Sequence, residues 1–205
     1  LDNIDSTKPF DFTIFSTHFT IGMMYPIENV KTTKTGRNLR ELLSDPKYKI
    51  IAMIDGHTHP VSCESLHYGK TIELTSTALL ETDGFAIFSV DNNRINYNIY
   101  YQNQTKLAIL TSPTPNKLAT RIFPDEEFQI RIVSLTPDTA SKFYVTGDVT
   151  GQLTFQRQLN GGAATLYAMN VHLKPGNYTI QLSGDIDDQT INFSIGVPVG
   201  PIVEP

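Results

Sequence analysis

Two histidines stand two positions apart in the segment Asp55-Gly56-His57-Thr58-His59-Pro60, directly after an apolar run of strand length. Imidazole nitrogen suits zinc, iron, copper and nickel as a ligand, whereas magnesium and calcium prefer oxygen. Because Gly56 permits a bend where the strand ends, both imidazoles would be presented at its carboxyl end. The pattern is typical of a transition-metal site. The alternative is two partly exposed histidines in a strand-end loop.

A third histidine, His18, follows another strand pattern at residues 12–17. Neighbouring parallel strands end at the same edge of a sheet, and open α/β sheets place their ligands at the carboxyl ends of their strands. We therefore expect His18, His57 and His59 to lie together, and we favour a metal site over satisfied histidines. His172 stands far along the chain and is interpreted as structural or solvated.

The elements that position these histidines belong to the first half of the chain. A helix is predicted at 36–45, with Leu39, Leu42 and Leu43 on one face and Pro46 ending it. Strand, helix and strand in this order indicate an α/β unit. Strands are predicted at 12–17, 49–55, 70–76, 84–91 and 94–101, the last two forming a hairpin.

No helix pattern appears beyond a boundary near Asn103. Glycine, proline, asparagine and aspartate stand at nearly every join between the short strands predicted there. About seven short strands at this spacing indicate an immunoglobulin-like sandwich, with Tyr178 just after a turn, as in a tyrosine corner. Strands are predicted at 106–111, 128–135, 141–147, 150–159, 163–171, 177–183 and 189–195. The domains would be 1–103 and 104–196, with a linker at 197–205.

Composition narrows the class of partner. The chain has 205 residues and a formal net charge of −5, which argues against a nucleic-acid partner because such partners require a basic stripe. Cys63 is the only cysteine, so no internal disulfide can form. No apolar run approaches the ~20 residues that would span a bilayer. Sequons at Asn103, Asn177 and Asn192 are candidate glycosylation sites of a secreted protein.

The motifs resemble those of the calcineurin-like metallophosphoesterases. Phe12–His18 looks like a late strand and histidine of that family, and Ile51–Pro60 resembles its closing Gly-His-x-His motif. Gly69–Leu74 and Gly84–Asp91 are similar to its last strands. The sandwich narrows the resemblance to the transmembrane type, in which an immunoglobulin-like module follows the phosphoesterase. The implied fold is the C-terminal part of an α/β metallophosphoesterase sheet sandwich followed by an all-β immunoglobulin-like sandwich.

The resemblance also implies a two-metal centre of zinc, iron or manganese, with His18 and His57 at one metal and His59 at the other. The resemblance further implies a phosphoester substrate and a membrane anchor outside this chain. It also implies a location in the lumen of the secretory pathway or at the cell surface. The family's bridging aspartate and catalytic histidine belong to earlier motifs, Asp-x-His, Gly-Asp-x-x-Asp and Asn-His. None of these motifs precedes His18, so no catalytic residue is assigned and the chain alone is expected to be inactive.

Two functions stay open. In the first, the chain is the C-terminal part of a metal-dependent phosphoesterase whose site is completed by a missing N-terminal part of the same protein or by a second chain. The start at Leu1 suggests such a fragment or a processed product. In the second, it is a non-catalytic extracellular or luminal binding or structural module with a relic metallophosphoesterase fold. A partner polypeptide that carries Asp-x-His and Gly-Asp-x-x-Asp would distinguish them.

Overall fold

The computed structural model describes residues 12–24, 30–31, 34–58, 64–67, 71–92, 94–118, 127–136 and 138–196. Strands hold 54% of these residues, and the two α-helices among them are short, α1 at Leu39–Ser44 and α2 at Leu79–Thr82. Helices of six and four residues cannot cover both faces of a sheet, as α/β architectures require. The predicted α/β metallophosphoesterase sandwich is therefore wrong, and the described chain is nearly all β.

Thirteen strands lie in the described ranges. In chain order they are β1 Thr13–Ser16, β2 Ile50–Asp55, β3 Glu64–His67, β4 Thr71–Thr75, β5 Gly84–Asp91, β6 Arg94–Tyr101, β7 Ala108–Ser112, β8 Glu127–Ser134, β9 Phe143–Gly147, β10 Gly151–Leu159, β11 Ala164–His172, β12 Gly176–Gly184 and β13 Gln189–Ile195. The chain divides into two compact units between Ala86 and Ile87. This division falls within β5, and the boundary expected near Asn103 stays a prediction.

The first unit contains a four-stranded sheet in the order β1-β2-β4-β3. β1, β2 and β4 run parallel, and β3 is antiparallel to β4. β2 is buried at five of its six residues, as its continuous apolar sequence predicts. Two of the three leucines of α1, Leu42 and Leu43, belong to one buried cluster with Ile50 and Met53 of that strand.

Helix α1 occupies part of the predicted helical segment because its two ends are defined locally. Asn38 Oδ1 accepts a hydrogen bond from the Glu41 backbone nitrogen at 2.8 Å, and Glu41 Oε2 accepts one from the Asn38 backbone nitrogen at 2.9 Å. This reciprocal capping box satisfies donors that the first turn would otherwise leave open. Asp45, in extended conformation before Pro46, ends the helix.

The second unit is built on one seven-stranded antiparallel sheet in the order β13-β12-β9-β10-β11-β8-β7, with the β5–β6 pair as a separate two-stranded sheet. β10 pairs with β9 through residues 151–153 and with β11 through residues 154–159. Because β10 pairs with both β9 and β11, the seven strands form one continuous sheet, and this sheet is curled. The strand count beyond Asn103 follows the prediction, but one curled sheet stands where an immunoglobulin-like sandwich is predicted.

The curled sheet has one hydrophobic core, to which alternate residues of its strands contribute. Phe143 and Tyr167 are buried at its centre, with ring centroids 4.8 Å apart. The predicted tyrosine corner is confirmed, since the Tyr178 hydroxyl donates to the Lys174 carbonyl oxygen at 2.7 Å. The buried members of the core are Ala108, Leu110, Ile130, Ile132, Phe143, Val145, Leu153, Tyr167, Ile180, Leu182, Ile186, Ile191, Phe193 and Ile195.

Candidate metal centre

The parallel pairing of β1 with β2 brings two of the three predicted histidines together. The hydrogen-bond ladder continues beyond the strands, because the Thr17 nitrogen donates to Ile54 oxygen at 3.0 Å and the Gly56 nitrogen donates to His18 oxygen at 3.2 Å. His18 and His57 therefore leave the sheet side by side at its carboxyl edge. This confirms the expected meeting of strand ends. His59 lies outside the described residues.

The ring nitrogens of this pair face each other. Nδ1 of His57 lies 2.9 Å from Nε2 of His18, and the two ring planes are nearly perpendicular at 88°. Phe19 contacts both imidazoles, with ring centroids 4.8 Å from His18 and 4.7 Å from His57. Both histidines are exposed. The two imidazoles thus pack against Phe19 and are accessible to solvent.

The backbone at His57 is strained. Its φ is +68°, in the left-handed region that residues with a Cβ avoid, although histidine enters it more often than most. The turn is closed by a hydrogen bond from the Thr58 nitrogen to the Gly56 oxygen at 2.8 Å. A three-residue turn with positive φ at its centre is rare and strained. Such outliers concentrate at ligand-binding and catalytic sites, so the strain at His57 supports a functional interpretation.

Two buried carboxylates lie in the strands behind the pair. Glu73 of β4 is 4% exposed and its Oε1 accepts a hydrogen bond from the Ile21 nitrogen at 2.7 Å, which ties the segment after His18 to the sheet. Asp55, also 4% exposed, accepts a hydrogen bond from the Thr75 hydroxyl at 2.7 Å. Their signal in the sequence is a carboxylate directly after an apolar strand residue, Ile54 or Ile72, since a carboxylate is rarely buried without a partner.

The separation of the two nitrogens fits a shared metal ion. If each nitrogen lay about 2.0–2.1 Å from the ion, a separation of 2.9 Å would subtend about 90° at it. That angle belongs to octahedral or square coordination rather than to the tetrahedral geometry of structural zinc. Within the described ranges no group of three or more His, Cys, Asp or Glu residues is arranged to hold a metal. Among the described residues, His18 and His57 could therefore supply two ligands at most.

His172 and the three sequon asparagines lie in the second unit. His172 Nδ1 is 3.6 Å from Glu127 Oε1 on the neighbouring strand, and both side chains are largely exposed. Asn103, Asn177 and Asn192 are exposed too, as glycosylation requires, and their modification stays a prediction. No helix in the described part of the chain is long and apolar enough to cross a membrane.

Comparisons with known proteins identify no family. No protein-family model and no curated protein matches the chain. The type III pullulan hydrolase from Thermococcus kodakarensis is 11% identical over 37% of this chain, with a TM-score of 0.26, and the match spans only 14% of the hydrolase. Domains 4 and 5 of the S-layer protein SbsC are 13% identical over 60% of this chain and 81% of their own, with a TM-score of 0.22. Likenesses at these TM-scores define neither fold nor function.

Proposed function

We propose that His18 and His57 are ligands of a divalent metal ion and that the site serves metal-dependent hydrolysis of a phosphoester. The observation that carries the proposal is the 2.9 Å separation of Nδ1 of His57 and Nε2 of His18 at the end of two parallel strands. The strained turn at His57 and the solvent exposure of both rings support it. The residue pattern Gly56-His57-Thr58-His59 adds the resemblance to the metallophosphoesterases.

The residues of this chain would orient the ion rather than complete its shell. Phe19 packs against both imidazoles and restricts their rotation. Glu73 fixes the segment that follows His18. A bound divalent ion would lower the pKa of a coordinated water to about 7 and polarise a phosphoryl oxygen. The chain's own histidines must be neutral to act as ligands, so on binding the proton between the two facing nitrogens would move to the outer nitrogen of its own ring.

The remaining ligands of the proposed centre, including a carboxylate that balances charge, would come from His59 and from an N-terminal part of the same protein or a second chain. We propose a phosphoesterase completed in that way, with a membrane anchor supplied by a segment outside this chain and a luminal or cell-surface location. Zinc, iron and manganese are the candidate ions, and the angle of about 90° favours the six-coordinate ones.

A non-catalytic binding or structural module is the second candidate. The observation that favours it is that the described ranges hold no metal-ligating group of three or more residues. Two imidazoles could then act only as a surface pair that binds metal loosely or makes a simple N–H···N hydrogen bond. The two candidates differ in the polypeptides and metals that accompany the native protein.

The test is peptide mapping of native material together with its metal content and its hydrolysis of bis-p-nitrophenyl phosphate. The phosphoesterase proposal predicts an associated polypeptide with the motifs Asp-x-His and Gly-Asp-x-x-Asp, bound metal, and hydrolysis that His57→Ala abolishes. His172→Ala, a histidine removed from the other unit, should leave the rate unchanged. This chain alone, metal-free and inactive in its native form, would contradict the proposal and favour the non-catalytic module.

A further inference from the structure

A groove of about 590 Å³ crosses one face of the second unit. Residues of five strands line it, with β5 on one side, β10 on the other, and β7, β8 and β11 contributing between them. Aliphatic side chains form part of its surface, namely Val90, Val133, Leu159 and Leu166. No aromatic ring lines it among the described residues. It therefore combines an aliphatic surface with a small set of polar groups, as peptide and ligand sites do.

Two β-bulges direct polar side chains into this groove. The register of β10 against β11 shifts between Phe155 and Arg157, and the register of β7 against β8 shifts between Leu110 and Ser112. Successive strand residues normally point to opposite faces, yet Gln156 and Arg157 both line the groove, as does Thr111 at the second bulge. Bulges re-aim side chains and are frequent next to functional sites.

The charged groups of the groove are arranged for recognition of an anion. Arg131 makes a two-pronged pair with Asp91, with Nε and Nη2 donating to Oδ2 and Oδ1 at 2.7 Å each. The Thr111 hydroxyl donates to the same carboxylate at 3.1 Å, so the guanidinium is held rigidly. Arg157 on the opposite side is exposed and has no acidic partner among the described residues. Two guanidinium groups and one carboxylate give the groove a net positive charge, whereas the whole chain has a formal net charge of −5.

We propose that this groove binds an extended peptide segment that carries carboxylate and aliphatic side chains in turn at every second position, and so on one face. An extended chain turns every second side chain to the same face, so its aliphatic residues would contact Val133 and Leu166 while its carboxylates reach Arg157 and the free edge of Arg131. The Nε2 groups of Gln129 and Gln156 donate to Asn170 and Thr154, so their Oε1 atoms are the ones that would accept from a peptide backbone. Nucleic-acid bases are the poorer match, because they stack on aromatic rings that the lining lacks.

The test uses the full chain and a short fluorescein-labelled peptide in which every second residue is glutamate or leucine in turn and the residues between them are serine, with the same peptide carrying lysine for glutamate as the ligand control. Fluorescence anisotropy should show binding of the acidic peptide only. Arg157→Ala should weaken it by about tenfold or more, because a charged hydrogen bond is lost. Arg157→Lys should recover part of the affinity. Lys174→Ala, which removes an exposed positive charge outside the groove, should leave it unchanged.

The proposal is contradicted if the wild-type chain fails to bind the acidic peptide or binds the lysine peptide equally well. Equal affinity of wild type and Arg157→Ala, with circular dichroism showing both folded, would also overturn it. Displacement of the peptide by a sulfated oligosaccharide that binds far more tightly would reassign the groove to glycans. Unchanged circular dichroism is expected of Arg157→Ala because its side chain is exposed.

Discussion

Nδ1 of His57 lies 2.9 Å from Nε2 of His18, although 39 positions separate these residues in the chain. The contact exists because β1 and β2 are parallel neighbours that end at the same edge of the sheet. It is maintained together with a φ of +68° at His57, which carries a conformational cost. A contact that persists with strain is better explained by a ligand-binding role than by two loop histidines.

The strain at His57 predicts an unusual order of stability for substitutions at this position. Because glycine adopts positive φ without steric cost, His57→Gly should be about 1 kcal/mol more stable than His57→Ala. Hydrogen exchange of peptides from β2, followed by mass spectrometry, measures this difference within the first unit. At His18, whose φ is not positive, alanine should be at least as stable as glycine. The same order at both positions would contradict the strain argument.

Glu73 is predicted to position His18 through the segment that follows it. Glu73→Ala leaves the Ile21 N–H without its acceptor in a buried setting, which costs about 1–3 kcal/mol. Glu73→Gln keeps the Oε1 acceptor and should retain most of the stability. The metal affinity should follow the same order, with alanine clearly weaker than glutamine, and isothermal titration with Mn²⁺ measures it. Wild-type affinity in both variants would leave Glu73 with no positioning role.

Gly147 is predicted to be essential for the stability of the second unit. Its φ is +102°, and a Cβ built there would lie 2.6 Å from the Thr179 carbonyl oxygen. Gly147→Ala should therefore destabilise the second unit by about 2–4 kcal/mol. Gly161→Ala is the matched control, because Gly161 has a φ of +67° with open space around it. Urea unfolding should show a loss of only about 1 kcal/mol for that control, and equal losses would refute the steric explanation.

The ionisation of Tyr100 is predicted to lower the free energy of unfolding at alkaline pH. Burial raises its pKa from 10.0 to about 12, the Asp187 carboxylate adds to that rise, and the hydrogen bond with Asn98 opposes it. The folded state therefore holds the phenol proton more tightly than the unfolded state. This contribution to stability is complete below pH 10 and is lost as the pH rises through 12.

The measurement is urea unfolding of wild type and Tyr100→Phe across this alkaline range. Tyr100→Phe should cost about 1 kcal/mol at neutral pH through loss of the hydrogen bond to Ala108 oxygen. Its stability should then fall less steeply than that of wild type between pH 10 and 12. Parallel pH profiles for the two proteins would show that Tyr100 ionises normally.

Local patterns in the sequence predicted most strands and the meeting of His18 with His57. The apolar run of β2 and the turn residues around β12 are signals within a few positions of the strands they define. The strand β3 and the short helix α2 escaped prediction because four residues are too few for a period to appear. Leu79 and Leu80 in α2 are exposed, so even their apolar character misleads.

The architecture was harder to predict because it depends on contacts between distant residues. One strand–helix–strand succession and a family resemblance suggested α/β, yet the helix in question has six residues. Whether β10 joins two sheets or belongs to one depends on its pairing with both β9 and β11, which no local pattern encodes. The roles of Phe19 and Glu73 at the histidine pair likewise depend on tertiary contacts.

The most direct test of the metal site is a Co²⁺ titration of the full chain followed by visible absorption. The proposed site predicts saturable binding with the weak absorption of a six-coordinate ion, and His18→Ala and His57→Ala should each lose affinity by at least about tenfold. His172→Ala should bind as wild type, because its side chain lies in the other unit. Equal Co²⁺ affinity in wild type and all three variants would contradict the account, since the facing nitrogens would then hold no metal.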